Sequence, residues 1–204
     1  MRTYLHSLAI IASLIVAGCF TLALAQQSAD RSQQAPPNRN KPPQLTLGDS
    51  DGTPGSTIVV PIYFAPAEGI EVGELKVNIN FVSRSLKYSR LNRGLAAEMG
   101  NVNVRAELKE GKNDKGLEVS TVNFEASIPS PKPGQKGIPG GLLGYLTLQV
   151  SEKSGPANIT LRATGQAEEL GTHKSLPNFK TVDAKVDILA AGSEPLISCF
   201  FFTH

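Results

Sequence analysis

Gly52-Thr53-Pro54-Gly55-Ser56-Thr57-Ile58-Val59-Val60-Pro61-Ile62-Tyr63-Phe64 is the stretch that decides the fold. Pro54 fixes φ for the second position of a turn, and Gly55 supplies the positive φ that a type II turn requires at its third. The β-branched run after the turn puts Ile58, Val60 and Ile62 on one face and Val59 on the other, the pattern of a strand. Pro61 has no N–H to give to a ladder, so this strand is expected at a sheet edge or with a bulge at that point. A turn that launches such a strand opens an all-β domain.

The alternation repeats toward the C terminus. Leu75, Val77, Ile79 and Phe81 alternate with Lys76, Asn78 and Asn80, and Leu86, Tyr88 and Leu91 continue in a shorter strand. Leu95 to Met99 fits one helical turn. Val102, Val104, Ala106 and Leu108 alternate with Asn103, Arg105 and Glu107; a hairpin connection, 110–116, then leads to a return strand, Leu117 to Phe124. The segment 127–141 carries four prolines and four glycines, and its length marks it as disordered or functional. Leu142, Gly144, Leu146, Leu148 and Val150 then share one face. Ile159, Leu161 and Ala163 form another strand, 166–179 reads as a polar crossing loop, and Val182, Ala184, Val186 and Ile188 close the domain. No amphipathic helix of ordinary length interrupts 44–189. Eight or nine alternating strands predict a two-sheet β-sandwich.

Upstream of the turn, Leu45 and Leu47 make a first short strand, closed by a turn over 48–52. Asp49 and Asp51 alternate like calcium ligands, but no bidentate Glu follows at loop spacing, so an EF-hand is excluded and a plain turn is expected. Residues 26–43 are rich in Gln, Asn and Pro without apolar periodicity, the composition of a flexible tether. Residues 1–25 read as an export signal with an apolar segment from Leu8 to Val16. Two cleavage readings stand open: Ala23-Leu24-Ala25 before Gln26 suits ordinary signal peptidase, whereas Val16-Ala17-Gly18-Cys19 resembles a lipobox with lipidation at Cys19. A bacterial protein that is secreted, periplasmic or anchored in the envelope is expected, touching membrane only through such an anchor. The tail 190–204 holds the apolar run Ile197 to Phe202, too short to span a bilayer.

The formal charge of +2 leaves no electrostatic footprint for nucleic acid. Catalytic constellations are missing as well. The three histidines are His6 in the signal, His173 in a polar loop and His204, so no converging ligand set for a metal or a Ser-His-Asp arrangement forms around them. Glu118, Glu125, Asp183 and Asp187 each read as solvent-facing strand residues. Gly137 to Gly144 lacks the Lys-Ser/Thr of a phosphate loop. Asn158-Ile159-Thr160 matches a glycosylation sequon only. No catalytic residue, cofactor or metal is expected, and an enzyme is not.

The opening stretch and the segments downstream of it together resemble the cohesin domain of bacterial extracellular proteins. Pro54-Gly55-Ser56-Thr57-Ile58-Val59-Val60-Pro61-Ile62 is similar to that family's entry motif. Gly69-Ile70 leading to Val77, Ile79, Phe81 and Leu86 resembles its next segment, with Val82-Ser83 where the family has Asp-Pro. Leu142 to Val150, a Gly-Pro turn and Ile159-Thr160-Leu161 resemble its late strand pair. The resemblance covers 44–189. It implies a nine-stranded jelly-roll sandwich and non-catalytic attachment to calcium-bearing dockerin modules of polysaccharide-degrading enzymes. The polar face of Asn78, Asn80, Asn103 and Arg105 is the candidate partner surface. Direct polysaccharide binding is the alternative, for which Tyr63, Tyr88 and Tyr145 are the aromatics that would stack on sugar.

Overall fold

The computed structural model describes residues 41–130 and 134–193. The export signal, Cys19, residues 26–40 of the tether and 194–204 of the tail lie outside the described residues.

In chain order the strands are β1 (Gln44–Leu47), β2 (Ser50–Gly52), β3 (Thr57–Ala65), β4 (Val72–Val82), β5 (Leu86–Arg93), β6 (Asn103–Lys112), β7 (Glu118–Ser127), β8 (Gly141–Val150), β9 (Ala157–Glu169), β10 (Lys180–Val182) and β11 (Ala184–Ile188), with one short helix, α1 (Leu95–Met99). They form a five-stranded sheet, β10-β1-β3-β8-β5, and a six-stranded sheet, β2-β11-β9-β4-β7-β6. Both sheets mix parallel and antiparallel pairs. The inward alternates of both sheets share one apolar core, including Ile58, Val60, Ile62, Leu75, Ile79, Phe124, Leu146, Leu148 and Leu161.

The turn before β3 forms as its residues dictate: Gly55 has φ 81, and the Ser56 N–H donates to the Thr53 carbonyl at 3.0 Å. Pro61 departs from expectation. β3 is no edge strand, because it lies between β1 and β8. Nor does the bulge fall at Pro61 itself: Pro61 pairs in register with Tyr145, and the register shift comes after it, between Ile62 and Tyr63 in the pairing with β8. The Pro61 carbonyl accepts the Gly48 N–H at 2.8 Å. N and O of one strand residue point to the same side, so the missing donor faces past the end of β1, where no ladder bond is required. Gly48 suits that contact, since a Cβ there would sit 2.5 Å from Pro61 Cγ.

Among the described residues the strand count is eleven, not nine. β2 and β10 are three-residue pieces, too short to show alternation, and each pairs in parallel with a neighbour: β2 with β11 and β10 with β1. The 48–52 turn is therefore a sheet switch that ends in β2. Likewise Val182 is exposed and belongs to β10, so it does not continue the buried face of Ala184, Val186 and Ile188. The crossing loop also begins later than expected, since β9 runs to Glu169 and buries Ala167.

Two aspartates hold the places where the chain crosses between layers. Asp49 Oδ1 accepts the Lys185 N–H at 2.7 Å, and Asp183 Oδ1 accepts the Ala163 N–H at 2.8 Å, while Thr181 Oγ1 donates to the Ala163 carbonyl at 2.6 Å. Asp49 thus serves the backbone as a turn residue does. Removing an acceptor from a partly buried N–H leaves that donor unsatisfied. Asp183→Ala is therefore expected to lower the unfolding free energy by about 1–2 kcal/mol. Asp183→Asn, which keeps an acceptor, should lose less; urea midpoints of the three proteins decide it.

The proline- and glycine-rich connection is pinned rather than free where it is described. Ile128 N–H donates to Gly73 O at 3.0 Å and Ile138 N–H to Val72 O at 2.7 Å, with both isoleucines buried. The Gly137 N–H also donates to the Glu71 carboxylate. At the same end α1 covers the start of β8, which explains why Leu142 and Leu143 are buried on both sides of the strand.

Candidate partner-binding face

The outer face of the six-stranded sheet is built from the polar alternates of four long strands. The register sets them in rows across β6, β7, β4 and β9. Asn103, Ser127, Glu74 and Glu168 form the first row. Arg105, Glu125, Lys76 and Gln166 form the second, Glu107, Asn123, Asn78 and Thr164 the third, and Lys109, Thr121, Asn80 and Arg162 the fourth.

All four candidate residues lie on this face, but they are not one cluster, since β7 separates the two on β4 from the two on β6. Asn78 and Arg105 line a common depression of about 400 Å³ together with Lys76, Glu107, Asn123 and Glu125. Asn80 lies in an adjoining concavity and accepts the Thr121 hydroxyl at 2.6 Å. Asn103 stands a row beyond the depression, at the margin. The residues that sequence reading missed are on the strand between: Thr121, Asn123 and Glu125. Their alternation with Val122 and Phe124 was legible, but the insertion of β7 between β4 and β6 was not.

Charge on the face is balanced by short pairs. Arg105 Nη2 reaches Glu125 Oε2 at 2.6 Å, and Arg105 Nε donates to the same oxygen at 3.0 Å. Lys76 Nζ meets Glu74 Oε2 at 2.8 Å and Glu168 Oε1 at 3.8 Å, with His173 Nδ1 3.6 Å from Glu168 Oε2. His173 is thus an exposed loop residue at the edge of this network. The hydrogen bond from Lys76 holds the Glu74 carboxyl below its ordinary value of 4.5, against a partial burial that pushes it up. The same bond raises Lys76, and Glu125 raises Arg105.

A carboxyl whose folded value is depressed stabilises the fold above its unfolded value and loses that contribution as pH falls through the folded one. Glu74→Gln is therefore expected to be less stable than the parent at neutral pH. The difference should close as the pH drops below about 4. Denaturation midpoints measured across that range check the sign.

The opposite outer face, on the five-stranded sheet, carries Tyr63 and Tyr145, both half-buried, beside Pro61. Burial raises the Tyr63 phenol, and the neighbouring Tyr145 raises it further. Tyr88 turns the other way and packs against the core. Among the described residues no group of three or more His, Cys, Asp or Glu is placed to hold a metal, and no helix is long and apolar enough to cross a membrane.

No protein-family model and no curated sequence matches the chain. Solved structures do. The third ScaC cohesin of Acetivibrio cellulolyticus, in complex with the ScaB dockerin, superposes with a TM-score of 0.55 at 17% identity, covering 72% of this chain and 99% of that one. An OlpA cohesin in a type I cohesin–dockerin complex from Clostridium thermocellum gives 0.55 at 14% identity, over 73% and 100%. A non-cellulosomal cohesin from the archaeon Archaeoglobus fulgidus gives 0.52 at 15% identity, over 74% and 94%. The described sandwich therefore has the jelly-roll fold of cohesin domains, with eleven strands.

Proposed function

We propose that this chain is a non-catalytic, exported attachment module whose six-stranded outer face grips a protein partner, one bearing a dockerin-type module. The reading is carried by one observation: the chain shares its fold with cohesins that have been crystallised holding dockerins. Chemistry on the face agrees with it. The rows offer many paired polar groups on a rigid sheet, which is the makeup of a protein-binding rim. Export and a tether of 26–43 would hold the module outside the cytoplasm, either free or anchored at Cys19. A link to polysaccharide breakdown would come through the partner.

The test is to immobilise the module on beads and present extracytoplasmic proteins of the host in calcium and in chelator. Calcium-dependent capture of a protein containing a dockerin repeat, identified by mass spectrometry, is the expected result. Calcium-independent capture, or capture of polysaccharide alone, overturns it.

The half-buried pair Tyr63 and Tyr145 favours a second reading, direct contact with a polysaccharide through the five-stranded face. Polysaccharide binding that disappears in Tyr145→Ala, with the fold intact by circular dichroism, would establish it in place of the first.

A further inference from the structure

At one end of the six-stranded face the polar rows stop. Val82 and Val119 stand directly opposite each other on β4 and β7, and Leu117 follows from the β6–β7 hairpin. Val82 is 38% exposed and Leu117 52%. With Asn80, Thr164 and Arg162 around them, these aliphatic groups line a concavity of about 770 Å³. Aliphatic side chains gathered in a concave, polar-rimmed site mark a docking surface, unlike singly scattered ones.

The geometry points to one occupant: we propose that the apolar run Leu196-Ile197-Ser198-Cys199-Phe200-Phe201-Phe202 of this same chain folds back and fills the concavity walled by Val82, Leu117 and Val119. β11 ends beside it, because Asp187 pairs with Asn158 and Asn158 lines the concavity. Leu189 N–H is held by Gly52 O, and the chain then turns, with Ser193 N–H donating to Ala190 O and Gly192 at φ 84. The run from Ser193 to Phe202 spans up to about 30 Å when extended. Neighbouring strands are about 4.8 Å apart, which puts the concavity only about 10–15 Å from β11.

The other exposed apolar pair, Leu95 and Met99 on α1, lies at the far end of the sandwich, where α1 packs on the start of β8. That is about 30 Å away along the strands. Charge agrees too: the concavity carries Arg162 and Lys115 against Asp114, a net positive lining, and the acidic Glu194 precedes the apolar run. Each of the three phenylalanines offers roughly 150–250 Å² of surface to bury, which drives the docking. Docked there, the run occupies part of the face assigned above to the partner, so the two compete. That competition rests on the reading of the face as the partner surface; the docking does not.

Native Cys199 provides the reporter. In the full chain carrying Cys19→Ser, a second thiol is introduced singly by Leu117→Cys, Val82→Cys, Val59→Cys or Met99→Cys. The chains are oxidised mildly and their disulfides mapped by mass spectrometry. A bond within one chain between Cys199 and position 117 or 82, formed about tenfold or more faster than to 59 or 99, is expected from a docked run. Equal rates at all four positions overturn the proposal. A bond between two chains also overturns it, since the occupant is then a second copy. Partner capture separates the two readings: with the intramolecular bond found, a chain ending at Ser193 should capture partner more tightly than the full chain. Unchanged capture would then count against the partner reading of this face and leave the docking standing.

Discussion

Phe124→Ala is expected to remove about 3–5 kcal/mol of unfolding free energy, a large share of what a domain of this size possesses. Phe124 is 1% exposed and sits mid-strand on β7, opposite Val77 on β4 and Ala106 on β6. Its neighbours include small side chains, Ala106 and Ala126, that have no atoms to move into the space left behind. Incomplete collapse is what adds a cavity cost to the lost transfer energy. Guanidinium unfolding should show the midpoint displaced with an unchanged slope. A loss under about 1 kcal/mol would mean that the two layers are not packed around this ring.

Asn78→Arg carries the second large effect, and it acts on binding rather than folding. Asn78 stands in the depression between Asn123 and Thr164, near the middle of the four-strand face. A long cation rising there would keep a docked partner from closing over β7 and would have to be desolvated beside Lys76 and Arg105. Disruption at the centre of an interface costs about 2 kcal/mol or more, which is roughly a 30-fold weaker Kd. Stability should change by no more than about 0.5 kcal/mol, because the side chain is exposed. The control is Val59→Arg on the outer face of the other sheet, which should leave capture of the partner untouched. If calorimetry shows the reverse pattern, the partner sits on the five-stranded face, and the tyrosine pair there becomes the site.

Much of the fold is legible from neighbouring residues alone. Ile58, Val60, Ile62, Leu75, Val77, Ile79 and Phe81 announce their burial by alternation, and each is buried. Gly55 announces its turn because only a residue without Cβ takes that φ easily. Reading failed where a feature was too short or depended on distant chain. β2 and β10 have three residues each, so period two cannot be seen in them. Pro61 argued for an edge on local grounds, yet its missing donor falls where β1 has already ended. Val182 continues an apolar pattern on paper, but Asp183 turns the chain into the other sheet.

The candidate face divides the same way. That Asn78, Asn80, Asn103 and Arg105 are on wet faces follows from their own strands. That β7 stands between them, bringing Asn123 and Glu125 into the middle, follows from pairing among three separate segments.

What the amino-acid order determined by itself is which side of each strand meets water and where the chain turns, since both depend on sterics and alternation among adjacent residues. Only the tertiary structure decided which strands lie side by side. Hydrogen bonding along a ladder is the same for any partner strand, so nothing local marks the contact between Asp49 and Lys185, 136 residues apart. The binding face, the sheet switches and the apolar concavity all arise from that choice of neighbours.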